Sequence, residues 1–500
     1  MHEYPQWKQR GHTGGFSDDR FIGIRDSFQY AKGVEIRKNP HSLTLAYAAE
    51  KNSGTVVVDL INAMVTIKST GDIIAFGNAG NIYRRAEGAG NWVKVYTMAS
   101  TNSILNGIEY NDYLYWFTYN KVHRIAVSAI DADWTTGTGP SIDFKTFLNS
   151  NLYAHPAIEL NNKLYIGDSF YLAELDSLGT FTEDKLSIFH DEEIRALTFG
   201  GSMMRIFSRK STKVEGGHKY FWDGSSESYN ERVPFAQVIH TAISNGGDDY
   251  VIAGRRPYIY NASGYAWQKL KKLPGVTDAQ NCYLSPNSLD FYDDLLCIGA
   301  AESGTNSLGR GVWTWGQYDY KYPIALNFDY PTSNDNTTDI VGCVHNSNGV
   351  LYFSWKKTVT GVPYDTITYG IDVVNTSKYR ATGEIHSIVH YGDESEETKA
   401  AIGIKASYDI LAAGEKIEIY AKKNLTPSFP TDAELTIDYN DTADRAANDK
   451  LDDAPMIAGD YNFLETKAVL TAGTNGLTSP ELISLSIMFD PQIEMGDNAE

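Results

Sequence analysis

Asn111-Asp112-Tyr113-Leu114-Tyr115-Trp116-Phe117 is a turn followed by a strand. Two residues that tolerate positive φ precede an unbroken run of large apolar and aromatic side chains. Versions of this stretch return along the chain at Asp72–Phe76, Asn162–Ile166, Ser202–Ile206, Asp249–Ala253, Asp294–Ile298 and Gly349–Phe353. Counted from the polar or small first residue, the seven copies are separated by 40, 50, 40, 47, 45 and 55 residues. A mean of about 46 matches the roughly 40 to 50 residues of a four-stranded propeller blade and exceeds the period of the shorter helical and leucine-rich repeats.

Each copy has neighbours of its own. A short apolar run precedes most of them across a tight turn: Ile104–Tyr110, Ala157–Leu160, Ile194–Phe199, Leu289–Phe291 and Ile340–Val344. The intervening residues, such as Asn111-Asp112, Asn161-Asn162 and Asp293-Asp294, are hairpin formers. A third run follows each copy: Ile82-Tyr83, Val122–Ile125, Tyr171–Leu175, Tyr220–Trp222, Tyr258–Tyr260, Val312–Trp315 and Gly370–Val374. A fourth, weaker one, such as Trp92–Val95 or Trp267–Leu270, completes some units. The near-continuous apolar character of the runs fits small sheets covered on both faces by their neighbours. Closing such sheets into a circle limits the hazard of open edges.

These features predict an all-β protein. Residues 1–54, with too few apolar positions for a core of their own, read as an extended N-terminal arm. Residues 55–379 read as a seven-bladed β-propeller, with six blades as the alternative, its final blade completed by residues after Thr55. Longer strands without blade spacing then occupy 384–390, 401–406, 416–421, 434–439, 462–471 and 482–489, and predict a C-terminal β-sandwich over 380–490. Asp441 to Asp453 is polar and reads as a loop, and residues 491–500 read as a tail.

A formal charge of -20 opposes a general role in gripping phosphate backbones, which needs clustered Lys and Arg. The polar start Met1–Arg10 has no signal-peptide pattern, and no window approaches the ~18 apolar residues of a membrane span, so synthesis in a host cytoplasm is expected. Cys282, Cys297 and Cys343 are far apart, lack CxxC spacing and read as thiols of a reducing compartment.

The chain resembles the propeller-type structural proteins of tailed-bacteriophage virions. Three places carry the resemblance: Gly14-Gly15-Phe16-Ser17 with Phe21-Ile22-Gly23 and Gly33-Val34-Glu35-Ile36; the run Tyr220-Phe221-Trp222-Asp223-Gly224; and the C-terminal passage from Gly383-Glu384-Ile385 through Ile417-Glu418-Ile419-Tyr420 to Leu470-Thr471 and Thr478–Ile487. That closing pattern is similar to the last strands of phage tail-associated proteins in which such a domain follows a propeller. The resemblance implies a virion role in the tail and brings no catalytic residues with it.

The residue patterns of catalysis are accordingly weak. His386 and His390 have the spacing of a helical metal site, but Ile385, Ile388 and Val389 set an extended pattern that separates them by ~13 Å. Ser307-Leu308-Gly309-Arg310-Gly311-Val312-Trp313 approximates the Ser-x-Asp-x-Gly-x-x-Trp turn of sialidase blades, with Gly309 in place of the aspartate and Trp313 one position early. Asp191, Glu192 and Glu193 from one loop and Asp293 and Asp294 from another are the acids that a propeller's axial mouth could gather for glycoside hydrolysis. Tyr258, Tyr260, Trp267, Trp313, Trp315 and Tyr318 are the aromatics that could hold a sugar if exposed, and otherwise pack between blades. Nucleophile elbows, Walker loops, dinucleotide fingerprints and zinc motifs are missing from the sequence.

The expectation is a non-enzymatic virion component without catalytic, metal or cofactor-binding residues. It assembles as a homo-oligomer with other virion tail proteins, and its copies can ring a channel whose negative lumen lets DNA pass without specific binding. The alternative is a carbohydrate-binding or glycoside-hydrolysing propeller, which would take a glycan receptor or substrate.

Overall fold

The computed structural model describes residues 6–490, apart from single residues and short stretches chiefly within 18–25, 99–102, 131–138, 150–153, 211–215, 274–281, 303–308, 335–337, 360–364, 391–398, 442–449 and 455–459. Ser307 and Leu308, most of the polar loop after Asp441 and the tail from Pro491 therefore lie outside the described residues. The described residues are all-β, with only two 3-10 turns, Val127–Ala129 and Thr474–Gly476. The chain forms two compact units, one of Glu50–Val312 and Thr332–Val373, the other of Met1–Ala49, Trp313–Pro331 and Val374–Glu500.

A succession of small meandering sheets supplies the strands of the first unit, the repeat unit, with residues 47–49, 313–331 and 374–379 of these strands counted in the other. The first holds Ile61–Thr66, Ile73–Gly77, Asn81–Arg85 and Val93–Thr97, and the second Asn106–Tyr110, Tyr113–Phe117, Lys121–Ala126 and Ser141–Thr146. The third holds Ala157–Leu160, Lys163–Asp168, Tyr171–Asp176 and Phe181–Ser187, and the fourth Glu192–Gly200, Met203–Lys210, Gly217–Trp222 and Glu231–Phe235. The fifth runs through Ile239–Asn245, Asp248–Ala253, Tyr258–Asn261 and Gln268–Lys272. In the sixth, Leu289–Tyr292 and Cys282–Tyr283 both pair with Leu295–Glu302, followed by Arg310–Gly316 and Ala325–Pro331. The seventh is Thr338–Ser347, Val350–Val359, Thr366–Tyr379 and Tyr47–Lys51.

The strand that completes the last sheet thus precedes Thr55 rather than following it. Asn52 N–H extends the pairing by donating to Ile371 O at 2.8 Å. The turns between first and second strands are set by local chemistry. Asn111 and Asp112 (φ 48° and 62°), Asn161 and Asn162 (52° and 58°) and Asp293 and Asp294 (53° and 61°) all take the left-handed conformations of a type I′ hairpin.

First strands pack against first strands in sequence order, from Ile61–Thr66 round to Thr338–Ser347, which packs back on Ile61–Thr66. This is a propeller-like arrangement, and a polar contact spans each junction. Asn62 Nδ2 donates to Ile104 O at 2.8 Å, Asn106 Nδ2 to His155 O at 3.0 Å, and Tyr165 OH to Gly224 O at 3.2 Å. Thr198 Oγ1 donates to Asp249 at 2.8 Å, Thr241 Oγ1 to Pro286 O at 2.5 Å and Asn346 N–H to Asp290 at 2.6 Å. The last junction is closed by Ser354 Oγ, which accepts from Cys343 N–H at 3.1 Å and donates to Ile61 O at 2.7 Å. Between these contacts lie apolar clusters, such as Phe76 and Trp116 with Trp134, and Leu172 and Tyr165 with Trp222. Full burial of such a side chain contributes about 1.5–3 kcal/mol.

The second unit, formed by both ends of the chain, contains two larger sheets. One runs Gly15–Phe16, Ser27–Lys32, Thr382–Ser387, Leu464–Thr471, Lys416–Lys423 and Leu435–Asp438. The other runs Gln6–Gln9, Leu482–Asp490, Lys399–Tyr408 and Lys450–Ala454, with Asp460–Tyr461 also on Lys399–Tyr408. Ile417, Ile419 and Ala421 alternate inward with period two, as a half-buried strand requires.

The N-terminal segment, read above as an arm, is built into both sheets. Phe28, Ala31, Val34 and Ile36 are at most 1% exposed because the C-terminal strands supply the rest of their core. Beside them Arg37 is buried against Asp329 at 3.1 Å and donates to Thr314 O and Ala325 O, each at 3.0 Å. Burial, and next the Asp329 charge, push the Glu35 carboxyl above its ordinary range, while Arg37 opposes the shift.

Two predictions rest on this packing. A Cβ at Gly342 would lie 2.3 Å from Ser354 Oγ and 2.4 Å from Ile61 O, so Gly342→Ala should destabilise the repeat unit by about 3 kcal/mol through overpacking. Gly90→Ala, where nothing lies within 4 Å, should not; urea unfolding of both variants checks this.

His155 is fully buried, stacks on Phe147 at 4.2 Å and holds Gly167 O through Nδ1 at 2.8 Å. Burial lowers its pKa to about 4 from an ordinary 6.5. A lowered folded-state pKa gives stability that is complete above 6.5 and is lost as pH falls through 4. His155→Gln should therefore remove about 3 kcal/mol of the stability difference between pH 7 and pH 4 measured by unfolding.

Candidate functional site

Where the first strands begin, a cavity of about 380 Å³ is lined from six of the sheets or the segments leading into them. Four first strands carry the same irregularity there, the one in Thr338–Ser347 falling between Thr338 and Ile340. Ile61 pairs with Gly77 and Ala63 with Phe76, leaving Asn62 as an extra residue. Ile194 pairs with Ser208 and Ala196 with Phe207, leaving Arg195; Ile239 pairs with Ala253 and Thr241 with Ile252, leaving His240. A bulge of this kind re-aims a side chain, and Asn62, Arg195 and His240 line the cavity.

Arg209 and Lys356, from second strands, complete a cationic lining. Arg195 Nη1 lies 3.5 Å from Glu193 Oε1 and Arg209 Nε 3.3 Å from Glu193 Oε2, so one carboxylate holds both guanidinium groups. Glu193 is 6% exposed and Arg195 5%. Lys356 has no ion-pair partner among the described residues. His240 donates from Nε2 to Gly254 O at 2.9 Å, and its pKa is lowered to about 4, chiefly by burial and further by Arg195 and Arg209, so it is neutral near pH 7.

Across part of the same opening runs Leu284–Ser288. Asn287 Nδ2 donates to Asn62 O at 2.8 Å and to Leu105 O at 3.3 Å, and Asn287 O accepts from Val344 N–H at 2.9 Å. The far ends of the first strands border a different cavity of about 450 Å³, which carries Lys68, Glu109 and Glu159. There Lys68 Nζ stands 3.5 Å from Glu159.

The acids singled out in the sequence do not converge. Glu192 is 1% exposed and accepts from Ser208 Oγ at 2.5 Å, from Tyr220 OH at 2.7 Å and from His218 Nδ1. Glu193 is held by the two arginines, and Asp191 is exposed. Asp293 and Asp294 form the turn at the opposite end of Leu289–Tyr292.

The aromatics pack rather than project. Trp267 stacks on Phe235 at 4.0 Å, Tyr260 meets the same ring edge-on at 5.1 Å, and Trp313 stacks on Phe328 at 4.7 Å. Tyr258 lies under Lys269 Nζ at 3.6 Å, while Trp315 and Tyr318 are half-buried. His386, in Thr382–Ser387, lies against Tyr30 and Phe429, and His390 bridges to Leu464. Among the described residues no three His, Cys, Asp or Glu side chains are grouped to hold a metal.

Sequence reasoning passed over Asn62, Arg195 and His240. Their signal is a polar residue between an isoleucine and a small residue at the head of a first strand: Ile61-Asn62-Ala63, Ile194-Arg195-Ala196 and Ile239-His240-Thr241.

No protein family and no curated protein matches the chain. Among solved structures it is similar to the computationally designed Ika8 protein, with 11% identity, a TM-score of 0.38 and coverage of 66% of this chain and 98% of that one. It is also similar to the extracellular domain of BT4673 from B. thetaiotaomicron, described as part of a hybrid two-component system, with 12% identity, a TM-score of 0.44 and coverage of 74% and 44%. Raptor of Chaetomium thermophilum matches with 9% identity, a TM-score of 0.46 and coverage of 66% and 30%.

Glu193→Gln leaves two guanidinium groups side by side with their shared carboxylate gone. It should cost about 3 kcal/mol in unfolding free energy, and Arg195→Gln in the same chain should restore part of that loss. A double-mutant cycle by denaturant unfolding measures the coupling.

Proposed function

We propose that this chain is a non-enzymatic structural component of a phage virion, a tail protein of the hub, nozzle or fibre-attachment region that assembles with copies of itself and with other virion proteins. In this reading the repeat unit is a seven-bladed β-propeller and the terminal unit a β-sandwich. The protein is made in the host cytoplasm and carried in the particle.

The observation that carries the reading is the unbroken succession of first-strand packings, the last returning to the first, with a polar contact at each junction. Such a wheel holds its shape under load and suits a part whose work is mechanical. The resemblance of the Gly14–Ser17, Tyr220–Gly224 and Thr478–Ile487 passages to phage tail-associated proteins supports the particle context. The buried, bonded state of Glu192 and Glu193 weighs against the glycoside-hydrolysing alternative, since a working pair of carboxylates must face a common substrate. With a net charge of -20, a ring of copies would repel passing DNA rather than hold it.

The test is mass spectrometry of density-purified particles from cultures that make the protein, followed by electron microscopy of those particles with an antibody to the chain. A fixed stoichiometry and labelling at the tail are expected. Recovery only in the free protein fraction, or release of reducing sugar from glycans by the purified chain, would overturn the reading.

A further inference from the structure

The cavity at the heads of the first strands is lined by uncharged polar atoms left without partners among the described residues. His240 bonds Gly254 O through Nε2, and a carbonyl only accepts, so Nε2 carries the ring hydrogen and Nδ1 keeps a lone pair. Asn62 spends both hydrogens of its amide, on Ser103 Oγ at 3.1 Å and on Ile104 O at 2.8 Å, which leaves Oδ1 as an acceptor. Ser103 Oγ accepts in that contact and retains its own O–H to donate. The hydroxyl of Ser285, a residue only 2% exposed, and the side-chain amide of Asn78 bond nothing among the described residues. All five residues line the cavity. We propose that this cavity binds a neutral polyhydroxylated ligand of monosaccharide size, a hexose or a cyclic polyol. This site does not rest on the virion role.

The open atoms set the chemistry of the ligand. His240 Nδ1 and Asn62 Oδ1 need donors, while the Ser103 hydroxyl needs an acceptor. A hydroxyl group serves either way, and several on one ring answer all three. A phosphate or carboxylate, which only accepts, would set its oxygens against two lone pairs. Recognition of this kind does not depend on the net charge around the opening.

The placement is built before any ligand arrives. Asn62 and His240 are extra residues in their ladders, re-aimed by the slip, and each is then tied to a backbone carbonyl. Side chains fixed in this way lose little rotamer freedom on binding. Leu60, Leu105 and Leu284 add apolar lining for the C–H face of a ring. A volume of about 380 Å³ lies at the small end of ligand pockets and suits one ring rather than a chain of them.

The test is isothermal titration of the full-length protein with glucose, galactose, mannose and myo-inositol. The fully O-methylated form of whichever binds most tightly, which keeps acceptors and loses donors, and pyrophosphate, which only accepts, serve as comparisons. Saturable binding of at least one of the four, with a Kd of about 1 mM or tighter and little change on adding salt, is expected. The methylated form and pyrophosphate should bind at least about tenfold more weakly. Ser285→Ala combined with Asn78→Ala removes side-chain groups that bond nothing among the described residues, and should weaken binding about tenfold or more. Lys68→Ala, at the opposite ends of the strands, should leave the affinity unaltered. Circular dichroism and unfolding temperature confirm that each variant is folded. Failure of all four compounds to bind saturably, equal affinity in the double variant, or binding of the methylated form or pyrophosphate as tight as that of the parent compound would each overturn the proposal.

Discussion

The repeat unit depends on a single constraint: the first strand of the last sheet must lie close enough to the first strand of the first for backbone and side chain to meet without a gap. Gly342 makes that approach possible, because any side chain there would meet Ile61 O and Ser354 Oγ. Ser354, fully buried, then bonds both sides of the junction at once. At every junction one sheet feeds the next along the chain, the last sheet doing so through Tyr47–Lys51, which leads into Ile61–Thr66. The contact between the last sheet and the first joins residues 293 positions apart through packing and hydrogen bonds. Leaving it open would expose Ile61, Cys343 and Ile371, each at most 1% accessible in the closed form.

Closure also explains where chemistry can collect. In a small sheet with both faces covered, side chains of the middle strands are committed to neighbours, as Trp116, Tyr165 and Trp222 are. Only the ends of the first strands remain close to one another without being filled. At one end the bulges bring in Asn62, Arg195 and His240, and at the other the hairpin turns bring in Asp293 and Asp294. The two ends differ in charge because one receives bulged residues and the other receives turn residues, which hairpin geometry biases toward Asn, Asp and Gly. Glu192 and Glu193 sit at the cationic end and are consumed there by hydrogen bonds and ion pairs.

Much of the strand order was legible before any coordinates. The recurring runs at 73–77, 113–117, 163–168 and 203–210 are second strands, each preceded by its first strand across the anticipated turn. Period and turn chemistry are local properties, and short-range reasoning finds them. Two features escaped it because they are non-local. Tyr47–Lys51 reads as an unremarkable polar run and becomes a strand only when Thr366–Tyr379 is there to pair with it. Ser27–Lys32 lacks the apolar content for a core of its own and takes its cover from C-terminal strands more than 350 residues later. The bulged residues were missed for a related reason. A bulge is defined by its partner strand, and within its own strand Arg195 looks like an ordinary outward-facing position.

The most direct measurement of closure is a disulfide between the first and last sheets. Thr66 Oγ1 lies 2.8 Å from Ser347 Oγ across that junction, 281 residues apart in sequence. Thr66→Cys with Ser347→Cys should oxidise spontaneously in the folded protein, appear as one crosslinked peptide by mass spectrometry, and raise the unfolding temperature. A folded double variant whose two thiols stay free under oxidising conditions would show that the first and last sheets do not meet.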